Sequence, residues 1–224
     1  NLTNDGKEWK YQYDAFGNRI ESVTDSDGSG SGASVTERYA YDGDALWADL
    51  NGSNTVQVYY THGDQVDELL SRSVSGSLGW YLTDRLGSVR HVTNLAGTVM
   101  DSITYDGFGQ VVSETGPSYG DRFKWTGREY HAETGLQYNR ARYYLNATGR
   151  WLSEDPIRWQ AGDVNLYRYV NNASTSYTDP SGNDESGIGG GEGIGEGGGG
   201  GGASAGLNWN WSRLWTGGLW GSTP

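Results

Sequence analysis

Short runs of alternating apolar and polar side chains recur along most of the chain, among them Gln57-Val-Tyr-Tyr60, Ser88-Val-Arg-His-Val92, Thr98-Val-Met-Asp-Ser-Ile-Thr-Tyr105 and Gln110-Val-Val-Ser113. A period of two sends successive side chains to opposite faces of an extended strand. Gly, Asn and Asp bound each run, so the pattern predicts strands joined into hairpins by tight turns. In Tyr13-Asp-Ala-Phe-Gly-Asn18, Tyr41-Asp-Gly43 and Tyr105-Asp-Gly-Phe-Gly109 the Gly or Asn tolerates positive φ, and the Tyr before the Asp packs on the strand. With Tyr59-Tyr60 and Tyr81-Leu-Thr-Asp84, these landmarks return roughly every two dozen residues, a spacing that signals repeat architecture. Helical signals are scarce. Tyr138 to Tyr144 reads as a short turn or a strand, and Pro156 and Pro180 favour extended or turn backbone at the aspartates before them. The expected fold is almost wholly β.

Two interruptions stand out. Asp25-Ser-Asp-Gly-Ser-Gly-Ser-Gly32 is a loop whose opening resembles a calcium loop, but the later carboxylates at ligand spacing are missing. From Gly187 to Gly206 the chain is nearly all Gly with two Glu, too few side chains for a core, and is predicted to be a disordered linker. Beyond it, Trp209, Trp211, Leu214, Trp215, Leu219 and Trp220 form an apolar tail expected to dock, either on its own chain or elsewhere.

Composition narrows the function classes. The chain has 224 residues, enough for one large domain or part of a larger one, and its 10 Trp and 16 Tyr predict an aromatic core. A net charge of −12 argues against nucleic-acid binding, which needs clustered Lys and Arg. Cys is absent, so disulfides, thiolate nucleophiles and Cys-held metals are excluded. His62, His91 and His131 lie far apart in sequence without metal-type spacing, and no cofactor or metal is expected. No apolar run nears the roughly 20 residues that span a bilayer. Because Trp9-Lys-Tyr-Gln-Tyr-Asp14 reads as the inside of a repeat, Asn1 is expected to be a cut end with any targeting signal upstream.

The pairing with chemical content is carboxylate with carboxylate. Asp155 and Asp179 each precede Pro and flank Asn165-Leu-Tyr-Arg-Tyr-Val-Asn-Asn172. If that segment is a hairpin arm, both carboxyls return to one place. Two carboxylates in contact do not both ionise cheaply, so one holds a proton while the other acts as base, as in aspartic proteases. The plainer reading is two turn-forming Asp-Pro corners.

Unlike motifs occur in order over about a hundred residues: Tyr81-Leu-Thr-Asp-Arg-Leu-Gly-Ser-Val-Arg90, Tyr105-Asp-Gly-Phe-Gly109, Phe123-Lys-Trp-Thr-Gly-Arg-Glu-Tyr130, Tyr138-Asn-Arg-Ala-Arg-Tyr-Tyr144, Asp155-Pro156 and Asp179-Pro180-Ser181-Gly182. The series resembles the core-associated end of Rhs/YD-repeat proteins, related to Tc toxin C components and the teneurin YD shell. The resemblance implies a β-sheet spiral forming part of a hollow shell around a C-terminal polypeptide, often a toxin, in a secreted or cell-surface bacterial protein. It also implies an aspartic autoprotease with Asp155 and Asp179 as acid and base and Arg142 as electrostatic support, cutting between Asn183 and Asp184. Two positions depart from the family pattern: Asn183 stands where Leu is usual, and Arg158, bringing bulk and charge beside Asp155, where Gly is typical. Arg128-Glu129-Tyr130 and Tyr138 to Tyr144 are implied to be structural, with Arg stacked on Tyr and paired with Glu129 or Glu133. The implied organisation is YD-repeat hairpins over 1–80, a shell-closing region over 81–183, the linker over 184–206 and the Trp-rich tail over 207–224. Implied partners are the chain's own C-terminal polypeptide, upstream YD repeats and a delivery machine or cell-surface partner. The alternative is a structural or adhesive repeat protein without catalysis, as teneurins suggest.

Overall fold

A computed structural model describes residues 2–4, 6–28, 32–158, 163–183 and 186–187. The predicted linker and Trp-rich tail, apart from the Ser186–Gly187 strand, lie outside the described residues. Eleven strands form one sheet: β1 Leu2–Asn4, β2 Lys7–Tyr13, β3 Arg19–Asp25, β4 Val35–Asp42, β5 Ala45–Asn51, β6 Val56–His62, β7 Leu69–Val74, β8 Ser77–Thr83, β9 Val89–Asn94, β10 Val99–Tyr105 and β11 Val111–Glu114. Their order in the sheet is their order in the chain, each antiparallel to the next. A second sheet follows, built from β12 Glu129–His131, β13 Leu136–Asn139, β14 Arg142–Leu145 and β15 Arg150–Trp151. β16 Tyr177–Thr178 pairs with β17 Ser186–Gly187. Helical structure among the described residues is limited to short 3-10 turns. Tyr138 to Tyr144 is the end of β13, a turn at Arg140 with φ +53°, and most of β14.

The expected turn chemistry is present and wider than the Tyr-Asp motif. Asp14 Oδ1 accepts the Phe16 and Asn18 N–H groups at 2.9 Å each. Asp84 does the same with Leu86 and Ser88, and Asp106 with Phe108 and Gln110. Asn51 and Asn94 build identical loops, accepting Ser53 and Thr55, and Ala96 and Thr98. The fourth residue of each loop is left-handed: Gly17, Asn54, Gly87, Gly97 and Gly109. The loop needs an Oδ1 acceptor and a tolerant fourth residue, which Asn supplies as well as Asp. Asp106→Asn is therefore expected to change stability by less than about 0.5 kcal/mol, whereas Asp106→Ala, which leaves two N–H groups without their acceptor, should cost about 1–2 kcal/mol by urea unfolding.

The core is aromatic, as composition implies. Tyr39, Leu46, Tyr60, Leu69, Tyr81, Val89, Val92 and Ile103 pack in one buried cluster with Phe123. A second cluster joins Tyr144, Trp151, Tyr169 and Val170, with the Tyr144 and Tyr169 rings 4.3 Å apart.

The two sheets are fastened by charge. Glu129 of β12 accepts Arg19 Nη2 and, at 2.6 Å, Arg122 Nε. Arg122 also grips Asp49 with two bonds, at 2.6 and 2.7 Å. Tyr11, Tyr39 and Tyr138 present their faces to the Arg19 guanidinium at 4.8–5.1 Å. Of the motif arginines, Arg128 lies over the Tyr138 ring at 5.9 Å, but the closer stacking is by Arg19, and the partners of Glu129 likewise come from outside the motif. Arg128 pairs instead with Asp67 at 2.8 Å, which Arg140 also reaches. The reason is directional: Glu129 faces Arg19 of β3 and Arg122, which is itself anchored to Asp49 of β5.

Candidate functional site

Arg142 begins β14 almost fully buried, its guanidinium 4.1 Å from the centre of the Trp151 ring. One nitrogen, Nη2, reaches Asp155 Oδ2 at 2.8 Å and Asp179 Oδ2 at 3.3 Å. Nε donates to the Gly182 carbonyl, and Nη1 to the Leu166 carbonyl at 3.4 Å. Burial pushes the guanidinium below its ordinary range, while Asp155 and then Asp179 pull it back up. A guanidinium stays protonated in either case. The three residues that the resemblance singles out therefore meet at one point.

Local structure explains why they meet. The tight β13–β14 turn holds the Asp179–Gly182 segment: Asn139 Nδ2 donates to the Asp179 carbonyl at 2.7 Å, Arg140 Nη1 to that of Pro180 at 2.5 Å, and the Ala141 N–H to that of Ser181 at 3.1 Å. Asp179 Oδ1 then accepts the Ser181 hydroxyl at 3.0 Å and the N–H groups of Gly182 and Asn183 at 2.8 and 3.2 Å. Gly182 is required there. Its φ is +74°, and a Cβ would come within 2.3 Å of the Asn139 carbonyl oxygen. On the other side, the Asp155 N–H donates to the Leu166 carbonyl at 3.0 Å, and Asp155 Oδ1 accepts the Ile157 N–H at 2.9 Å.

The route between the aspartates differs from the expected hairpin arm. Among the described residues of 155–179, strand structure occurs at Tyr177–Thr178 alone; Val170–Asn172 is a 3-10 turn. Val170, Asn171 and Asn172 all have positive φ, which no strand accommodates. Arg158 does not crowd Asp155 with its side chain, which is exposed; its φ of +52° is instead a backbone conformation that suits Gly. Asn183 shares a narrow cleft of about 40 Å³ with Arg142, Asp155 and Asp179. Asp184 lies outside the described residues. The residues whose part here sequence reasoning missed are Asn139, Trp151, Leu166 and Gly182: Trp151 and Leu166 act through a ring face and a backbone carbonyl that carry no motif, while Asn139 and Gly182 stood inside Tyr138–Tyr144 and Asp-Pro-Ser-Gly without a role assigned.

The histidines are dispersed. His62 bonds the Leu46 carbonyl, His91 the Ser102 hydroxyl, and His131 meets the edge of Trp9. No helix among the described residues is long and apolar enough to cross a membrane, which leaves strand-built spans unaddressed.

Fold and site together define a repeat-built antiparallel β protein whose last described segments return a carboxylate pair to one arginine. Residues 69–175 match the family model described as teneurin YD-shell, and residues 2–29 that described as RHS repeat. The chain belongs to the Rhs/YD-repeat family. It is 34% identical over 179 residues to the tRNA3(Ser)-specific nuclease WapA of Bacillus spizizenii, covering 77% of this chain and 7% of that protein. It is 30% identical over 200 residues to the probable deoxyribonuclease RhsB of Dickeya dadantii, covering 80% of this chain and 12% of that protein. The chain thus spans a small part of the length of these relatives. Among solved structures, TcdB2-TccC3-Cdc42 superposes with a TM-score of 0.63 at 23% identity, over 81% of this chain and 9% of that one, a likeness of fold.

Proposed function

We propose that this chain is the closing part of a YD-repeat shell that encapsulates and delivers a polypeptide C-terminal to it, and that Arg142, Asp155 and Asp179 form an aspartic autoprotease cutting between Asn183 and Asp184. The observation that carries this reading is the sharing of one Arg142 nitrogen by two buried carboxylates beside Asn183. One carboxyl gives a proton to the departing amine, its partner takes one from the attacking group, and Arg142 holds the aspartates at the segment to be cut. Residues 81–183 would be the closing region and residues 1–80 the repeats.

Family membership supports a toxin as cargo, since relatives include the toxin protein Tse5 of Pseudomonas aeruginosa. On this reading the protein works outside the cell or at its surface, with a delivery machine or cell-surface partner. The competing reading, an adhesion scaffold, takes the same trio as a structural clasp. Intact-mass measurement of the folded chain separates them. Cleavage should yield a fragment ending at Asn183, absent from Asp155→Asn; a wild-type chain that folds cooperatively and stays whole sinks the protease reading.

A further inference from the structure

We propose that Asn183 is a reactant in its own release: its side-chain amide, rather than a water molecule, breaks the bond to Asp184. This deepens the self-cleavage reading and rests on it. Asn183 is held from behind, its N–H donating to Asp179 Oδ1 at 3.2 Å and to Ser181 Oγ at 3.0 Å. The carbonyl just before it, that of Gly182, accepts Arg142 Nε. Its side-chain oxygen is not held. Asn183 Oδ1 is buried without a hydrogen-bond partner among the described residues, in the cleft shared with Arg142, Asp155 and Asp179. A buried amide oxygen without a partner is costly for a structural residue, and the amide stands next to two groups able to move protons.

Asparagine has a chemistry at this position that an apolar residue lacks. Its Nδ2 attacks the carbonyl carbon of the same residue, and a five-membered succinimide ring closes. The carbon–nitrogen bond to Asp184 breaks, and that nitrogen departs as an amine. One proton passes from Nδ2 to a carboxylate of the pair, and one passes from the protonated partner to the departing nitrogen. No water, oxidant or reductant is consumed. Nucleophile and target belong to one residue, so the step has the rate advantage of a well-placed intramolecular reaction. The expected N-terminal product ends in a cyclic imide at residue 183 and is one water lighter than the product of hydrolysis.

The test is the intact mass of the fragment from the full chain, folded and held at mildly acidic pH where the imide persists, with hydroxylamine added to a parallel sample. Supporting results are a fragment lighter by one water, its conversion to the hydroxamate, and an Asn183→Gln chain, melting like wild type, that is cut at least about 100-fold more slowly. A wild-type fragment carrying the full water from its first appearance overturns the role of Asn183 and leaves the aspartic reading standing. That mass is read on the unmodified chain, so misfolding of a variant does not blur the result. A folded wild-type chain that is never cut overturns both.

Discussion

Glu129→Ala is expected to lower the unfolding free energy by about 3–5 kcal/mol, because it strands the buried Arg19 guanidinium and takes from Arg122 one of its two carboxylates, leaving it Asp49. The side chains of Arg19 and Glu129 are 6% and 7% exposed, and Arg122 reaches the same carboxylate oxygen. Glu129→Gln keeps the shape and loses the charge, so its cost should be nearly as large. Glu133→Ala, two turns of alternation away and half exposed, should fall within about 0.5 kcal/mol. Burial alone would push the Glu129 carboxyl up, but Arg19, Arg122 and Arg128 outweigh it and hold its pKa at about 2. A depressed carboxylate pKa contributes stability that is complete above the unfolded value of 4.5 and is lost as pH falls through about 2. Urea titrations between pH 7 and pH 2 should therefore show the gap between wild type and Glu129→Gln closing at the acid end. A gap that stays constant over that range would refute the ionic account.

Arg142→Ala is the second substitution of large effect. It leaves Asp155 and Asp179 buried without their shared cation and frees the face of Trp151, so a loss of about 3–5 kcal/mol is expected together with loss of any self-cleavage. Arg142→Lys separates the two consequences. A lysine restores charge as a single point but cannot hold the Gly182 and Leu166 carbonyls while it meets both carboxylates. The fold should survive, and fragment formation followed by mass should slow by about 100-fold or more. If Arg142→Lys is cut at the wild-type rate, the guanidinium geometry has no part in the reaction.

Much of the fold was legible because its rules are local. Alternation located the strands, and Asp followed by a Gly or Asn that tolerates positive φ located the turns. The Asn51 and Asn94 loops escaped attention because the motif was read as Tyr-Asp, whereas any Oδ1 acceptor with a tolerant fourth residue suffices. The partners of Glu129 were not legible, since nothing local connects Arg19 to a residue 110 positions away. At the site, composition by itself left Asp155 and Asp179 as two turn corners, and it was the family resemblance that joined them to Arg142. The hairpin arm supposed between them is not the route: three successive positive φ angles, at Val170, Asn171 and Asn172, turn the chain instead.

The order of the eleven-stranded sheet has a consequence in time. Each strand pairs with its neighbour in the chain, so every step closes a short loop and sacrifices little entropy. The Arg19–Glu129 bridge spans 110 residues and the Tyr138 hydroxyl reaches back 121 to the Gly17 carbonyl. The large sheet can therefore zip hairpin by hairpin from either end. The bolt between the sheets closes only once β3 and β12, at opposite ends of that span, are both in place.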